Sequence, residues 1–459
     1  MSWHEVAGPA GDPIPFTFTG AAVSGGRVEL GYRMADRWDL TEVVELPVDL
    51  PDTPEVAAAV RVLHLVAGVS YYKCVAPVPL ATGPLSEAEA ALARALYDEG
   101  LREFAYRNGF GVPLPVELRS EAGGLGGGAG QPIGGAGFRP GTGALVPIGG
   151  GKDSALVAAL VPDGLLFAVN PVGAHEHLAL ALGRKLVGAR RTLDPQLRDL
   201  VAMGAPNGHV PVTAITSAIS VLAALALGRG DVLMGIERSA DEPTVVTPDG
   251  VPVNHQFSKS WEAEQLLRAA FGPTGVRYLS LLRPMSELGI GASVAARGLA
   301  PHIVSCNRVF TVWSASTASR EQRPCGSCAK CLFTALMVAP ASSPEAVAER
   351  YGGALLDEPD NVDEVRALWS DEKPFDCVGE RLESAAAVVL LSRTDGWRSQ
   401  AVVAALADEA AGLLSSAGVD PGSFLALGSL DRLPADYRDV VASVAPDLAA
   451  VPALAHAPR

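Results

Sequence analysis

From Ala144 onward, short apolar runs alternate with stretches of helical pattern. The runs "ALVPI", "GLLFAVN" and "GDVLMGI" predict strands, and "SALVAALV" and "HEHLALALGRKLV" predict the helices that follow the first two. This alternation predicts an α/β fold in which a parallel sheet carries helices on both faces. Ligands of such folds bind at the carboxyl ends of the strands, so binding residues are expected in the loops that follow them.

Two other regions flank this one. Short apolar segments between residues 14 and 49 predict strands, and two alanine-rich stretches after Pro51 predict helices, the second opening on Ser86 and Glu89 with the spacing of a capping box. Beyond about Pro340 the pattern is helical again. The predicted division is a smaller N-terminal α+β domain (1–119), a Gly-rich linker or loop (120–143), an α/β domain (144–340) and a mainly helical C-terminal region (341–459).

Composition narrows the class of protein. Of the 459 residues, 48% are hydrophobic and 19% are charged, which is typical of a folded chain with a large core. The formal net charge of -15 disfavours nucleic acid as a partner, because proteins that bind polyanions normally carry a basic face. The first residues lack the features of a signal peptide, and the nearly uncharged run 210–228 is short for a membrane span. A cytoplasmic protein without membrane contact is therefore predicted.

The loop in "VPIGGGKDSALVAAL", residues 146–160, stands between a predicted strand and a predicted helix. A Walker A loop requires glycine where Val146 stands and Ser or Thr where Asp153 stands. The dinucleotide fingerprint requires glycine or alanine where Ser154 stands. Both of these phosphate-binding motifs are therefore excluded, and a plain glycine turn remains the alternative without a ligand.

The loop resembles instead the Ser-Gly-Gly-x-Asp-Ser motif (the PP-loop) of the ATP pyrophosphatases, with Gly149 in place of the first serine. The resemblance implies ATP binding by Gly149, Gly150, Gly151, Lys152, Asp153 and Ser154. Glycines let successive N–H groups surround phosphate oxygens, and the positive end of the next helix adds to the attraction. Asp153 is the expected ligand of Mg²⁺, and Lys152 adds a positive charge.

Four of the six cysteines, namely Cys306, Cys325, Cys328 and Cys331, lie in one stretch of 26 residues. In a reducing compartment, two overlapping Cys-x-x-Cys steps indicate thiolates on a metal and not disulfides. A closed set of four thiolates favours a structural Zn²⁺ ion. An iron–sulfur cluster and unligated thiols remain the alternatives at this stage.

Two polar segments are candidates for the lining of an active site. "GIERSADEPT" follows a predicted strand and contains Glu237, Arg238, Asp241 and Glu242, and "VNHQFSKSWEAE" contains Asn254, His255 and Lys259. Solvated surface turns are the alternative for both. His175 and His177 are expected to cap or line a helix, since neither has an evident partner in the sequence.

The order of the segments "LHLVAGVSYYK", "EFAYRNG", "PIGGGKDS", "GIERSADEPT", "NHQFSKSWEAE", "SELGIGA", "SCNRVF", "CGSCAKC" and "PFDCVGE" resembles the MurL family. The resemblance covers about residues 14–385. It implies epimerisation of the terminal L-glutamate of UDP-MurNAc-L-Ala-L-Glu, with ATP converted to AMP and pyrophosphate through an acyl-adenylate. It also implies a role in peptidoglycan synthesis and cell shape, coupled to a muramyl ligase that adds L-Glu.

The same resemblance suggests roles for individual residues. Adenylation neutralises the carboxylate, which makes the α-proton removable by a side-chain base. The candidates for this base are His255, Lys259, Asp241 and Glu242. The residues expected to contact the substrate are Tyr71, Tyr72, Lys73, Glu237, Arg238, Asn254 and Arg308.

Two other functions remain open from the sequence. The first is a nucleobase-modifying enzyme of the 7-cyano-7-deazaguanine synthase type, or a tRNA-modifying enzyme, since these can also carry a Cys-x-x-Cys-x-x-Cys zinc site. The gap between Cys306 and Cys325 is longer than in those synthases, and the acidic charge disfavours tRNA. The second is a nucleotide-binding regulatory protein with a degenerate loop, which Gly149 alone supports.

Overall fold

The computed structural model describes residues 13–119, 141–306, 308–309, 323–371 and 373–452. The strands are β1 (Phe16–Ser24), β2 (Arg27–Met34), β3 (Trp38–Glu45), β4 (Leu80–Ala81), β5 (Leu118–Arg119), β6 (Ala144–Pro147), β7 (Leu165–Val169), β8 (Leu186–Thr192), β9 (Asp231–Met234), β10 (Val245–Val246), β11 (Pro252–Val253) and β12 (Arg277–Ser280).

The α-helices fall in every region that the sequence predicts to be helical. They are α1 (Pro54–Ala67), α2 (Val69–Tyr72), α3 (Glu87–Tyr97), α4 (Arg102–Arg107), α5 (Lys152–Leu160), α6 (Gly173–Ala181), α7 (Gln196–Ala202), α8 (Val212–Ala226), α9 (Trp261–Phe271), α10 (Glu287–Ala296), α11 (Ala329–Val338), α12 (Pro344–Tyr351), α13 (Val362–Arg366), α14 (Arg381–Ser392), α15 (Ala401–Ala417), α16 (Ala435–Ala442) and α17 (Ala445–Ala449).

The chain forms two compact units, each built from more than one segment. The first unit takes residues 1–145, 187–232 and 246–279, and the second takes 146–186, 233–245 and 280–459. The boundaries fall inside β6, β8, β9, β10 and β12, so each of these strands has residues in both units.

In the first unit the strands pair in the order β8-β3-β2-β1-β4-β5. The pairs β1–β2, β2–β3 and β3–β8 are antiparallel, and β1–β4 and β4–β5 are parallel. In β2 buried Val28, Leu30, Tyr32 and Met34 alternate with more exposed residues, which is the pattern of a strand with one face on a core. The predicted strands between residues 14 and 49 are confirmed.

Helices α1 and α3 also belong to the first unit. Thr53 caps α1, and Ser86 caps α3 through the predicted capping box. Glu89 N donates to Ser86 Oγ (3.2 Å), and Ser86 N donates to Glu89 Oε2 (2.8 Å). Both donors would lack a partner within the helix, so the box stabilises the first turn by about 1 kcal/mol.

Strands β12, β9, β6 and β7 pair in that order, with β6 parallel to β9, and β10 pairs with β11 in a separate two-stranded sheet. The mixed sheet, the helices after its strands and the helical C-terminal region confirm the predicted α/β class. The helix predicted over "HEHLALALGRKLV" ends early, at Ala181, because Gly183 turns the chain with a φ of 64° and Leu186 starts β8.

The structure tests the predicted helix within 210–228, and it leaves the Gly-rich linker and the domain boundaries untested. Helix α8 confirms a buried helix within 210–228, and no helix among the described residues is long and apolar enough to cross a membrane. The Gly-rich linker lies outside the described residues except for 141–143. The predicted domain boundaries remain a prediction beside the two units given above.

Candidate functional site

The predicted ATP loop joins β6 to α5 in the second unit. Gly151 is the N-cap of α5, and Gly150 has a φ of 76°, a left-handed conformation that favours glycine. Gly149 N donates to Ser154 Oγ (3.1 Å), and Ser154 Oγ donates to Gly151 O (3.2 Å). These bonds fold the loop back over the first turn of α5. The N–H groups of that turn have no partners within the helix, which makes this end of α5 suited to an anion.

Three glycines differ in the space around them. A Cβ at Gly235, just after β9, would lie 2.8 Å from the carbonyl carbon of Asp153 and 3.0 Å from Ser154 N. A Cβ at Gly151 would lie 2.9 Å from Ser305 Oγ, whereas a Cβ at Gly149 would have nothing within 4 Å. The loop is therefore packed against backbone on one side and bordered by open space at Gly149.

Lys152 lies inside the unit, with only 1% of its side chain exposed. Its ammonium group forms ion pairs with the carboxylates of Asp153 and of Glu287, the first residue of α10. Asp153 is 24% exposed and so is the more accessible of the two carboxylates. The predicted phosphate and catalytic roles of Lys152 and Asp153 remain predictions, and the structure adds Glu287 as a buried partner of Lys152.

The segment after β9 carries a set of charged groups. Glu237 is buried and accepts from Ser239 Oγ (3.2 Å), and Arg238 lies 3.8 Å from Glu380. Glu242 accepts from Lys373 Nζ (2.5 Å). Burial lowers the pKa of Lys373 and raises that of Glu380. Asp241 is exposed at the end of the same segment.

A further carboxylate, Glu383, is fully buried in α14. Its Oε1 accepts from Leu288 N (2.7 Å) in the first turn of α10. Burial, assisted by the nearby charge of Glu380, raises the pKa of Glu383 to about 7. Its only sequence signal was its place directly after the segment "PFDCVGE", which does not distinguish it from an ordinary helical residue.

The four predicted cysteine ligands meet in the second unit, with their sulfur atoms all within 4.8 Å of one another. Cys331 Sγ lies 3.8 Å from Cys325 Sγ and 3.5 Å from Cys328 Sγ, and Cys325 N donates to Cys306 Sγ (3.4 Å). Four sulfurs at about 2.3 Å from one ion stand about 3.8 Å apart at the corners of a tetrahedron. The cluster is therefore of the right size to hold a tetrahedral metal ion.

Arg308 lies beside this cysteine cluster, where its Nη1 donates to Ser327 Oγ (3.2 Å). Its predicted role in substrate binding remains a prediction. His175 and His177 lie in α6 as expected: His175 Nδ1 accepts from Val172 N (3.0 Å) and so caps the helix, and His177 lies 3.2 Å from His302.

The first unit brings His255 together with two residues that the sequence did not single out. His255 Nδ1 lies 2.5 Å from Glu103 Oε2, and His209 Nδ1 lies 3.8 Å from the same oxygen. The two imidazole rings have centroids 4.3 Å apart. Burial lowers the pKa of His209 to about 4, with smaller contributions in the same direction from His255, Lys259 and Lys73 and an opposing one from Glu103.

Other predicted residues of this unit lie as follows. Asn254 Oδ1 accepts from Gln256 N (2.8 Å), and Lys259 Nζ donates to Gln256 Oε1 (3.2 Å). Lys73 Nζ donates to Asn207 Oδ1 (2.5 Å). The segment "VNHQFSKS" is therefore a hydrogen-bonded turn and not an open loop.

Tyr71 and Tyr72 are fully buried in the aromatic core of the first unit. The Tyr71 hydroxyl accepts from Asp194 N (3.0 Å), the Tyr72 hydroxyl donates to Val78 O (3.1 Å), and the Tyr72 ring packs against Phe16. Their substrate contacts remain a prediction, and their positions give both a structural role.

Comparisons with known proteins identify the family of the chain. The MurL N-terminal domain matches residues 12–281, and the MurL C-terminal domain matches residues 302–419. No solved structure gives a significant match.

Three curated relatives carry the name UDP-N-acetyl-alpha-D-muramoyl-L-alanyl-L-glutamate epimerase. The chain is 43% identical to the Salinispora tropica protein over 80% of this chain and 81% of that protein. It is 41% identical to one from Micromonospora sp. (88% and 91% covered) and 36% identical to one from Xanthomonas oryzae pv. oryzae (82% and 85% covered). Both domain matches and all three relatives lead to the same conclusion: the chain belongs to the MurL family.

Proposed function

We propose that the protein epimerises the terminal L-glutamate of UDP-MurNAc-L-Ala-L-Glu to D-glutamate, with conversion of ATP to AMP and pyrophosphate. The relatives named as epimerases of this dipeptide, at 36–43% identity over most of the chain, support the reaction and the substrate. The observation that carries the use of ATP is the loop Gly149–Ser154 at the N-terminus of α5.

The reaction faces a barrier that explains the use of ATP. Removing the α-proton next to a carboxylate would place a second negative charge on an anionic group. Joining that carboxylate to AMP removes its charge, so the electrons of the broken C–H bond can move onto an uncharged carbonyl. Return of a proton to the opposite face inverts the centre, and water then cleaves the bond between the acyl group and AMP, which releases UDP-MurNAc-L-Ala-D-Glu and AMP.

In this proposal the loop binds the phosphates of ATP. The N–H groups at the start of α5 and the Ser154 hydroxyl are the donors, and the open space at Gly149 leaves room beside them. Asp153 would hold the Mg²⁺ that neutralises charge on the departing pyrophosphate. Lys152, whose ammonium group pairs with Glu287, would add positive charge beside the phosphates.

His255 is the base that this proposal assigns to the α-proton. It is supported by a carboxylate 2.5 Å from one of its ring nitrogens. It is also supported by two lysines, Lys259 of the same segment and Lys73 from an earlier part of the chain, whose charges act on the neighbouring His209. Such cations favour a substrate with carboxylate groups and stabilise the negative charge that develops on proton removal.

The cysteine cluster would hold a structural Zn²⁺ ion through Cys306, Cys325, Cys328 and Cys331. The thiolate donors and their spacing fit this ion, which leaves no open coordination position for catalysis. In this proposal a muramyl ligase first adds L-glutamate to the precursor. The epimerisation product, a UDP-muramoyl dipeptide that ends in D-glutamate, would then enter peptidoglycan synthesis.

The direct test incubates the purified protein with UDP-MurNAc-L-Ala-L-Glu, with and without ATP and Mg²⁺. We expect D-glutamate after acid hydrolysis only when ATP is present, with AMP and pyrophosphate as products. Appearance of D-glutamate without ATP, or release of ADP, would overturn the adenylation step.

A variant tests the loop itself. Asp153→Ala is expected to abolish ATP–pyrophosphate exchange, and Asp163→Ala, on the turn after the same helix, is the matched control that retains it. Unchanged exchange in Asp153→Ala would contradict the assignment of the loop.

A further inference from the structure

Three side chains from distant parts of the first unit converge on one point. Glu103 lies in α4, His209 precedes α8 and His255 follows β11, 152 positions from Glu103. Their ligand atoms all lie within 4.8 Å of one another. Neither the match to the family nor the names of the relatives assigns a role to Glu103 or His209.

The hydrogen bond between Glu103 and His255 has a defined direction. A carboxylate only accepts, so the proton of the 2.5 Å contact lies on His255 Nδ1. In a neutral imidazole the lone pair is then on Nε2, which becomes the basic atom. The side chain of Glu103 is 5% exposed and that of His255 is 10% exposed, so water competes little for this bond.

The charges around the cluster distinguish a proton-transfer site from a metal site. Lys73 and Lys259 lower the pKa of His209, and Arg107 Nη1 lies 3.7 Å from Glu103 Oε1. Three cationic side chains beside one carboxylate and two histidines oppose a divalent cation. They favour an anionic ligand, such as the carboxylate and enolate of the proposed reaction.

We propose that Glu103 is a positioning residue, which holds His255 in the Nδ1–H form so that Nε2 takes the α-proton of the activated glutamate. His209 packs against the His255 ring as a neutral imidazole, so it does not repel the imidazolium that forms. This inference rests on the proposed function, because it assumes that a proton is removed from the α-carbon.

The proton balance of the step is simple. The α-carbon–hydrogen bond breaks, its electron pair enters the enolate of the acyl-adenylate, and the proton binds His255 Nε2. The Glu103 carboxylate stabilises the positive charge of the imidazolium through Nδ1–H. Water or a second acid supplies the proton that returns to the opposite face.

The test compares Glu103→Gln with a matched control, Glu99→Gln. Glu99 precedes Glu103 by four residues, is also partly buried and pairs with Arg102 (3.7 Å), away from the histidines. Reactions in D₂O report deuterium uptake at the α-carbon, and ATP–pyrophosphate exchange reports adenylation separately. We expect Glu103→Gln to slow deuterium uptake by about 100-fold or more, the usual contribution of a positioned base. Exchange should stay within about 2-fold of wild type in both variants, because adenylation precedes the removal of the α-proton and does not require its base.

Two further readouts exclude a merely structural role. Glu103→Gln removes the negative charge beside His255 Nδ1, while His209, Arg107, Lys73 and Lys259 remain. The acid limb of the epimerisation rate should therefore move to lower pH. Glu103→Asp should recover part of the rate. The ¹⁵N NMR signals of His255 should show Nδ1–H in the wild type and lose that signature in Glu103→Gln.

Several outcomes would overturn the inference. Equal deuterium uptake in Glu103→Gln and Glu99→Gln would do so, as would a fall in uptake with no movement of the pH profile. Binding of one equivalent of Zn²⁺ or Mn²⁺ that is lost in His209→Ala but kept in Cys325→Ser would assign the cluster to a metal. If the wild type shows neither exchange nor uptake, the proposed function fails, and the ¹⁵N tautomer still decides whether Glu103 orients His255.

Discussion

Replacement of Gly235 by alanine is the sharpest test of how the chain holds the glycine loop that is proposed to bind ATP. The added Cβ would lie 2.8 Å from the carbonyl carbon of Asp153, 2.9 Å from its oxygen and 3.0 Å from Ser154 N. Ordinary contacts begin near 3.4 Å, so the backbone must move by about 0.6 Å. All three neighbours are main-chain atoms at the start of α5, and no side chain can rotate away to relieve them.

The cost can be estimated from comparable changes. Overpacking of this kind typically destabilises a protein by about 1–3 kcal/mol. For a unit of this size, about 2 kcal/mol corresponds to a fall in Tm of roughly 4–8 °C. Displacement of catalytic groups by about 1 Å can lower a rate by about 100-fold. We therefore expect a folded protein with a modestly lower Tm and a loss of ATP–pyrophosphate exchange of about 10- to 100-fold.

The matched control is Gly149→Ala, where the new Cβ meets nothing within 4 Å. Differential scanning calorimetry on both variants separates the local clash from the general loss of a glycine, and ATP–pyrophosphate exchange is measured on Gly235→Ala. We expect Gly149→Ala to keep the wild-type Tm to within about 1 °C, since a tolerated Gly→Ala change is close to neutral or slightly stabilising. A Gly235→Ala protein with wild-type Tm and exchange would refute the packing argument.

Three other predictions address stability and metal content. Cys325→Ser should lower the zinc content well below one equivalent per chain and reduce the Tm. Cys377→Ser, which lies outside the cluster, should change neither the zinc content nor the Tm. Metal analysis of both variants checks the zinc content. Glu42→Gln should lower the free energy of unfolding, measured by urea denaturation, by about 3–5 kcal/mol. The reason is that the buried Arg191 guanidinium, which now donates to the two Glu42 oxygens at 2.7 and 2.9 Å, would lose this counter-charge. A loss below about 1 kcal/mol would contradict this. Burial lowers the pKa of His64 from 6.5 to about 4, so the folded chain binds fewer protons than the unfolded chain between those values, and stability should fall as the pH drops through that window. His64→Gln should flatten this dependence in urea titrations at several pH values, and an unchanged slope would show that other groups cause it.

The features predicted correctly are local ones. The capping box at Ser86 and Glu89 and the glycine loop before α5 each depend on a few consecutive residues, so their spacing carries the information. The cysteine cluster is nearly local as well, since three of its four members lie within seven residues. The family resemblance was visible for the same reason, as an ordered series of short motifs.

The features that were missed are contacts between distant residues. Glu103 lies in a helix whose sequence pattern marks only an amphipathic surface, and nothing near it indicates a histidine 152 positions away. Glu287 and Glu383 likewise look like ordinary helical residues. Their burial, which pairs one with Lys152 and raises the pKa of the other to about 7, depends on helices packed together from separate parts of the chain.

The sequence by itself determined the α/β class, the glycine loop before α5, the four-cysteine cluster and the family, because short-range periodicity and spacing encode all four. The tertiary structure decided which groups became chemically distinctive. In the folded chain Tyr71 and Tyr72 are buried in an aromatic core, Lys152 forms an ion pair with Glu287, and the Glu103 carboxylate contacts His255 Nδ1. Burial and proximity set the ionisation of a side chain, and both arise only when the chain has folded.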